Sequence, residues 1–308
     1  MNCFLSSLSQ STFVFLCCTT GLSGKIAKLD SDLTKLAPES YLLKKEGNLP
    51  FPLSESSGLA LSRIHHGWCW GHNDSGNLPQ LFLFKISEQK EASTEYHWKT
   101  VFPGKTVNQD WEDLHMSPDE ILVIANTGNN LKNRSQLELI TFKEPENLEY
   151  VQTIHADRHV FEYERLGNQN KIARKDCEAI CAVGDDLLLF TKRLVANYSD
   201  VYMIRDFLKN EAIEDKKTVL RAEFVIRLKG VWGVTGADSW NSGAKIALLN
   251  YNSVLVFENA AESNLKSFFE SGKKVPLPFS QYEAIAFKDE NNLILSNEKG
   301  ELFILNLR

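Results

Sequence analysis

The sequence predicts an all-β fold, a five-bladed β-propeller of four-stranded antiparallel blades in which an N-terminal strand closes the last blade. Three observations support this prediction. From about residue 40 onwards, short apolar runs alternate with turn residues. Runs at helical period are almost absent from the same region. One segment recurs five times, and units of about 50 residues that hold several short strands are typical of propellers.

The recurring segment starts with an acidic or hydroxyl residue at the head of a short strand. The five starts are 55, 66, 57 and 48 residues apart, at Ser57, Glu112, Glu178, Thr235 and Glu283. A turn and a second, strongly apolar strand follow each start, as at residues 121–124, and then a third strand, as at residues 137–140. Each unit therefore supplies at least three strands of a blade.

Four units also have room for a fourth strand, which we predict at residues 96–102, 150–161, 220–228 and 268–277. The fifth unit has none before the sequence stops at Arg308. In a closed ring of blades, residues 40–44 are expected to supply it, since pairing both ends of the chain in one blade locks the circle. A six-bladed ring is the alternative, with its additional blade within residues 112–178.

The N-terminal residues differ in character from the rest of the chain. Residues 12–18 form an apolar run that is too short to cross a bilayer, and small and polar residues follow it. This pattern predicts an export signal at residues 1–24, a linker at residues 25–39 and a single propeller domain at residues 40–308. No Lys or Arg precedes the apolar run, so a misassigned start or a buried N-terminal segment is the alternative.

The cysteines fall into two groups. Cys17 or Cys18 is a candidate for the lipid-bearing cysteine of a bacterial lipoprotein, so the expected location is periplasmic, membrane-anchored or secreted. Downstream, Cys69, Cys177 and Cys181 are an odd number and cannot form a fully paired disulfide framework. We expect these three to be small buried core residues.

The charge of the chain limits its partners. The formal net charge is −6, and no long basic run occurs. Nucleic-acid polymers are therefore poor candidates. A cation, a small anionic ligand, or a protein or glycan outside the cytoplasm fits better, and a monomer is expected.

The repeat starts also predict a metal site. In a propeller, the innermost strand of each blade begins at one mouth of the channel, so Ser57, Glu112, Glu178, Thr235 and Glu283 are expected to converge there. Two residues earlier, on the same side of an extended chain, lie three more carboxylates, on Glu55, Asp110 and Asp176. Six carboxylates so close together repel one another unless some are protonated or a cation lies among them. Oxygen ligands alone favour calcium. The alternative is that these groups cap strand ends.

The loops between second and third strands are expected at the same mouth. His72 and Asp74 are candidates for acid–base catalysis. Lys192 and Arg193 are candidates for binding an anionic group. The amides that line these loops, on Asn73, Asn126 and Asn130, are candidates for polar contacts to a substrate. The alternative is that these residues only form tight turns.

Four motifs carry a family resemblance. His72-Asn-Asp-Ser-Gly, Asp110-Trp-Glu-Asp-Leu, Asn126-Thr-Gly-Asn-Asn and Tyr282-Glu-Ala-Ile-Ala together resemble exported bacterial propeller proteins of unassigned function, over most of the mature chain. More distantly, the order hydroxyl, Glu, Glu, hydroxyl, Glu at the repeat starts is similar to the calcium-activated nucleotidases of the apyrase family, which are five-bladed propellers with a central calcium. That likeness covers only the inner-strand starts and implies that these five residues are calcium ligands.

The sequence thus predicts an exported calcium-binding propeller with a ligand site at the channel mouth. The alternative is a metal-dependent hydrolase of phosphate esters, phosphoanhydrides or lactones, in which the metal polarises an oxygen or activates water.

Overall fold

A computed structural model describes residues 26–29, 33–86, 98–164, 175–193, 196–209, 218–258 and 265–308. In this part of the chain the structure is almost entirely β-sheet, which confirms the predicted all-β class. The exceptions are a 3-10 helix at Pro38–Ser40 and one short α-helix, α1, at Leu265–Glu270. Among the described helices, none has the length and apolar character needed to span a lipid bilayer.

The strands of the first half, in chain order, are β1 (Ile26–Lys28), β2 (Thr34–Lys35), β3 (Tyr41–Asn48), β4 (Ser56–Leu61), β5 (Trp68–Asn73), β6 (Leu81–Lys85), β7 (Trp98–Pro103), β8 (Asp113–Met116), β9 (Ile121–Asn126), β10 (Leu137–Lys143), β11 (Val151–Ile154) and β12 (Asp157–Tyr163). Those of the second half are β13 (Cys177–Val183), β14 (Asp186–Thr191), β15 (Tyr198–Ile204), β16 (Leu220–Lys229), β17 (Val234–Trp240), β18 (Lys245–Asn250), β19 (Ser253–Glu258), β20 (Lys273–Pro276), β21 (Tyr282–Phe287), β22 (Asn292–Asn297) and β23 (Glu301–Leu307).

Strand pairing gives four sheets. The first has the order β4-β5-β6-β7, with β11 added parallel to β7. The second is nine-stranded and contains two antiparallel runs, β8-β9-β10-β12 and β13-β14-β15-β16, which are joined by a short parallel pairing of β12 with β16. The third has the order β17-β18-β19-β20 with β2 at its edge, and the fourth the order β21-β22-β23-β3.

The innermost strands of these runs form a closed ring. Strand β4 contacts β8, and contacts continue from β8 to β13, from β13 to β17, from β17 to β21 and from β21 back to β4. All five contain or directly follow a start of the recurring segment. The sheets therefore surround one axis as in a β-propeller, which supports the predicted fold type.

The apolar core is divided into five clusters, each between two neighbouring antiparallel runs. One cluster lies between β4-β5-β6-β7 and β8-β9-β10-β12 and includes Trp70, Leu83, Leu114 and Ile124. Four further clusters occupy the other gaps around the ring. Cys69, Cys177 and Cys181 are buried free thiols within these clusters, so the predicted core role of the three cysteines is confirmed.

The last strand of the chain pairs with an N-terminal strand in the fourth sheet. Strand β3 pairs antiparallel with β23, from Tyr41 opposite Leu307 to Asn48 opposite Glu301. The prediction that residues 40–44 pair next to the last strand is confirmed, and the paired segment is longer than expected. Residues 26–28 and 34–35 lie in the predicted linker and form short parallel pairs with β16 and β20.

Two predicted fourth strands are wrong in detail. Residues 150–161 are not one strand, because β11 pairs with β7 in the first sheet while β12 stays with β10. Residues 268–277 begin in helix α1, and only β20 is extended. Phe268 and Phe269 are both buried and both contact Phe257, with ring centroids 6.0 and 5.0 Å away. Successive side chains in a strand point to opposite faces, so a strand would expose one of them.

Replacing Lys44 by proline is expected to weaken the closure of the ring. The amide of Arg308 donates to the carbonyl of Ser40, so the alternation of an antiparallel ladder makes Ile304 and Lys44 a hydrogen-bonded pair. Proline at this position removes a donor and is expected to lower the free energy of unfolding by about 2 to 3 kcal/mol. Urea denaturation measures this, with Lys44→Ala as the matched control. Equal stability of both variants would show that the pairing contributes little.

Candidate functional site

Backbone hydrogen bonds bring two kinds of loop together at one mouth of the channel. In each case, a residue just beyond the second strand of a run donates its amide to the carbonyl of a residue just before the innermost strand of the same run. The pairs are Asp74 with Glu55 at 3.0 Å, Gly128 with Asp110 at 3.1 Å, and Lys192 with Asp176 at 3.0 Å. The predicted convergence of these loops is therefore present in the structure.

Asparagine side chains hold the acidic positions in place. The Oδ1 atom of Asn73 accepts the amide of Glu55, and that of Asn126 accepts the amide of Asp110, both at 3.0 Å. The Nδ2 atom of Asn73 donates to the carbonyl of Pro52, and that of Asn126 donates to Glu138. Both amides are thus engaged within the protein, so the structure gives them a positioning role in place of the predicted substrate contact.

The loops enclose a polar cavity of about 470 Å³. Its lining includes Asn130, Tyr251 and three serines, but only one cationic residue, Lys192. Seven carboxylates face it, those of Glu55, Asp74, Asp110, Glu112, Glu178, Glu283 and Glu298. The cavity is of the size that holds small ligands or a metal ion with its waters.

Carboxylate oxygens form two groups that share one residue. In one group, Asp74, Asp110 and Glu112 bring ligand atoms within 4.8 Å of one another. In the other, Glu112, Asp176 and Glu178 do the same. Glu112 is therefore the centre of the acidic cluster, and it is 5% exposed, whereas Asp74 is open to solvent.

Burial and mutual repulsion raise the pKa values of these groups. Burial, followed by the charges of Glu178, Asp74 and Asp110, raises the pKa of Glu112 well above its ordinary value. Burial raises the pKa of Glu178 to about 7 although the neighbouring Lys192 opposes the shift. Burial also raises the pKa of Glu283 to about 8. Ionised carboxylates in this cavity therefore lack sufficient compensating positive charge.

Lys192 is the cation of the cavity. Its Nζ atom lies 2.9 Å from Oε2 of Glu178 and 5.7 Å from the ring centroid of Tyr251. The charges of Glu178 and Glu283 outweigh burial and raise the pKa of Lys192. Lys192 thus neutralises part of the protein's own negative charge. Lys192 lines the cavity as predicted, and its role in binding an anionic group stays a prediction.

Two features of the carboxylates bear on the binding of a ligand. Oε1 of Glu178 is buried, and among the described residues it has no donor other than the neighbouring carboxyl group of Glu112. At Gly128, a Cβ atom would lie 2.0 Å from Oε1 of Glu112 and 2.3 Å from Oδ2 of Asp110. The carboxylates therefore approach the Gly128 backbone as closely as glycine alone permits.

The hydroxyls at the repeat starts connect neighbouring strands of the ring. Ser57 donates to the carbonyl of Glu112 at 2.9 Å, and Thr235 donates to the carbonyl of Tyr282 at 2.7 Å. Ser57 lines the cavity, whereas Thr235 is buried and is not part of its lining. The predicted ring of five ligands is thus brought together only in part, because Thr235 is withdrawn.

The candidates for catalysis and anion binding separate in the structure. Asp74 lines the cavity, but His72 is fully buried, with its ring edge-on to Trp111 at 5.6 Å. Burial lowers the pKa of His72 to about 4, so the ring is neutral. The structure does not place His72 for the predicted catalytic role, since its ring does not face the cavity. Arg193 also lies outside the lining, 5.5 Å from the ring of Tyr198.

Comparisons with known proteins do not assign a family. No family model matches the chain, and no curated protein matches it. Among solved structures, the WD40 repeats of RRP9 align with 12% identity and a TM-score of 0.38 over 82% of this chain and 67% of that one. Virginiamycin B lyase from Staphylococcus aureus aligns with 12% identity and a TM-score of 0.41, over 87% and 100% of the two chains.

A gluconolactonase from Xanthomonas campestris aligns with 11% identity and a TM-score of 0.42, over 95% of this chain and 100% of that one. Scores at this level carry no information on activity. The fold of this chain therefore rests on strand pairing and on the ring of inner strands.

A second polar group, which the sequence did not predict, lies deeper in the channel. Asp113, fully buried, accepts the backbone amides of Leu114 and Ile180 at 2.9 Å and of Ala237 at 3.1 Å. Its carboxylate therefore connects three innermost strands across the channel. The sequence does contain a signal for this residue. Asp113 directly follows its repeat start, and at that position the other four units have Gly or Ala.

A second buried carboxylate, that of Asp238, also accepts backbone amides from innermost strands. It accepts the amides of Ser239 and Phe287 at 2.8 Å, and its Oδ1 lies 3.2 Å from Nδ1 of His115. Asp238 and His115 occupy the same position in their two repeat units, three residues after the start, where the other units have Ala or Cys. These polar residues therefore fill the channel below the acidic mouth.

Proposed function

We propose that the channel mouth is a calcium site and that the protein is a calcium-binding propeller with its ligand site at this mouth. The observation that carries the proposal is that two groups of three carboxylates meet at Glu112, beside which Oε1 of Glu178 is buried with no donor other than the neighbouring carboxyl group of Glu112. A hard divalent cation with oxygen ligands offsets this repulsion. No nitrogen or sulfur ligand belongs to either group of the described residues.

Asp74, Asp110 and Glu112 are the residues that would hold the cation. Asp110 and Asp74 are open enough to leave positions for water, which calcium accepts readily. Glu178 is partly neutralised by Lys192 and contributes its Oε1 atom from the other side. These residues come from the first and second sheets, so a bound cation would tie the two sheets together at the axis.

We also infer that the propeller has five blades. The nine-stranded sheet divides into two four-strand antiparallel runs, and only three residue pairs of β12 and β16 join them. Five inner strands contact in a ring, and five apolar clusters fill the gaps. Within residues 112–178, the surplus strand β11 pairs with the first sheet, which argues against a sixth blade there. An electron-density map at side-chain resolution tests the count.

Calcium titration by calorimetry tests the site. The wild-type protein, stripped with chelator, is expected to bind one calcium ion, and Gly128→Ala is expected to abolish binding because its Cβ displaces the carboxylates of Glu112 and Asp110. Asp110→Asn removes one charge and is expected to weaken binding by at least about tenfold. Asp119→Asn, an exposed carboxylate outside the cavity, is the matched control. Wild-type protein without calcium binding would contradict the proposal.

The hydrolase remains a second candidate because the cavity is large enough for a small ligand. Its acid–base residue would be Asp74, since His72 is enclosed, and partial burial raises the pKa of Asp74. A panel of nucleotides, phosphate esters and lactones, with calcium or with chelator, measures this. Turnover that needs calcium and is lost in Asp74→Asn would support hydrolysis. If no substrate is turned over, calcium binding remains as the proposed function.

Export is a separate proposal. Residues 1–24, with Cys17 and Cys18, lie outside the described residues, so the signal and any lipid anchor stay predictions. N-terminal sequencing and mass spectrometry of the protein from its native host would detect cleavage or lipid attachment.

A further inference from the structure

Six large apolar side chains are exposed around the acidic cavity. Phe51 and Leu131 expose 87% and 85% of their surface. Each of the six lies either in the segment that leads into an innermost strand or in the loop that follows a second strand, and both kinds of connection end at the cavity. We call this set the apolar rim, and it consists of Phe51, Leu78, Val107, Leu131, Trp232 and Phe279.

The distribution of these side chains is uneven. The other large apolar residues exposed in the described part of the chain are Leu42, Tyr150, Val151 and Val219, which lie in or beside outer strands. Single exposed apolar residues are ordinary, whereas a set gathered on one face marks an interaction surface. The rim residues flank four of the five antiparallel runs, and the run β13-β14-β15-β16 contributes none among the described residues.

An aromatic wall joins the rim to the cavity. The ring centroids of Trp232 and Tyr251 are 5.4 Å apart, and those of Tyr251 and Phe279 are 6.2 Å apart. Tyr251 lines the cavity, and the ammonium of Lys192 lies over its ring. The protein's own side chain therefore shows that an ammonium group fits between this wall and the carboxylates.

Negative charge remains available for a second cation. Seven acidic side chains line the cavity beside one described cationic side chain, Lys192. Glu283 and Glu298 also line the cavity, and neither belongs to the group formed by Asp74, Asp110 and Glu112. An anionic ligand would meet net repulsion here, whereas a basic one meets complementary charge.

We propose that this face docks a polypeptide segment in which a Lys or Arg side chain is flanked by apolar residues. The basic side chain enters the cavity beside Glu298 and Tyr251, and its apolar neighbours pack on the rim. A small amine would fill the cavity but would not cover rim residues that come from four antiparallel runs, which favours a polypeptide. Aromatic residues around a desolvated centre are typical of protein interfaces. This inference does not depend on calcium.

A peptide array provides the test. The probes are acetylated, amidated peptides with a central Lys between two leucines and varied residues elsewhere, and parallel arrays carry Arg, norleucine or Glu at the centre. The wild-type protein is expected to bind peptides with Lys or Arg and not their norleucine or Glu counterparts. For the strongest Lys peptide, the double variant Trp232→Ser and Phe279→Ser is expected to raise Kd by at least about tenfold.

Controls separate this proposal from the calcium site. Tyr150→Ser and Val219→Ser remove exposed apolar groups elsewhere and are expected to leave Kd unchanged. Peptide binding is expected to be the same with calcium and with chelator, whereas the rim variant is expected to lose peptide binding and to keep calcium binding. Equal binding of the norleucine peptides, or no binding on any array, would overturn the proposal. Sedimentation of wild-type protein with phosphatidylserine vesicles, lost in the rim variant, would overturn it in favour of a lipid surface.

Discussion

Replacing Asp113 by alanine is expected to destabilise the folded protein strongly. The carboxylate is fully buried and accepts backbone amides from three innermost strands, at Leu114, Ile180 and Ala237. Alanine leaves these buried donors without the carboxylate, and each such loss costs about 1 to 3 kcal/mol. The free energy of unfolding is therefore expected to fall by about 3 kcal/mol or more, as measured by urea denaturation.

Two comparisons keep this prediction testable. Asp113→Asn retains one oxygen but places an NH2 group against backbone donors, so its stability is expected to lie between those of the wild type and the alanine variant. Asp119→Ala, at an exposed position in the turn after β8, should change the free energy of unfolding by no more than about 0.5 kcal/mol. An alanine variant as stable as Asp119→Ala would show that the channel carboxylate does not connect the strands.

The calcium-free protein is expected to become less stable as the pH rises from about 6.5 to about 8, the range above the ordinary pKa of His72, where its lowered pKa no longer changes stability with pH. Burial raises the pKa of Glu178 to about 7 and that of Glu283 to about 8, from an ordinary value of 4.5. A carboxyl group with a higher pKa in the folded chain binds more protons when folded. Its contribution to stability is therefore fully present below the unfolded value and is lost as the pH rises through the folded value.

Calorimetric melting curves across this pH range measure the effect. Without calcium, the melting temperature is expected to fall by about 5 °C between the two limits. Saturating calcium should remove most of the decline at high pH, because the ion binds the ionised carboxylates. Glu283→Gln should flatten the upper part of the curve, whereas the exposed Glu290→Gln should leave it unchanged. A melting temperature that rises with pH without calcium would show that these carboxylates are already compensated.

The sequence by itself determined the fold type and the location of the site. Alternating short strands require an all-β structure, and a recurring segment with an acidic or hydroxyl start places like residues at like positions of successive units. The pairing of residues 40–44 with the last strand also followed from the sequence. Residues outside the innermost strands were harder to predict. Phe268 and Phe269 have strong β propensity, yet packing on Phe257 holds them in a helix.

Only the tertiary structure decided which polar residues act at the cavity. His72 and Asp74 are two residues apart, but His72 lies within β5 with its ring in the core, whereas Asp74 follows the end of that strand and lines the cavity. Lys192 was predicted to bind a ligand, and the arrangement of Glu178 and Glu283 around it also makes it an internal counter-ion. Charge pairing and burial depend on distances between units far apart in the chain, and a single sequence does not contain those distances.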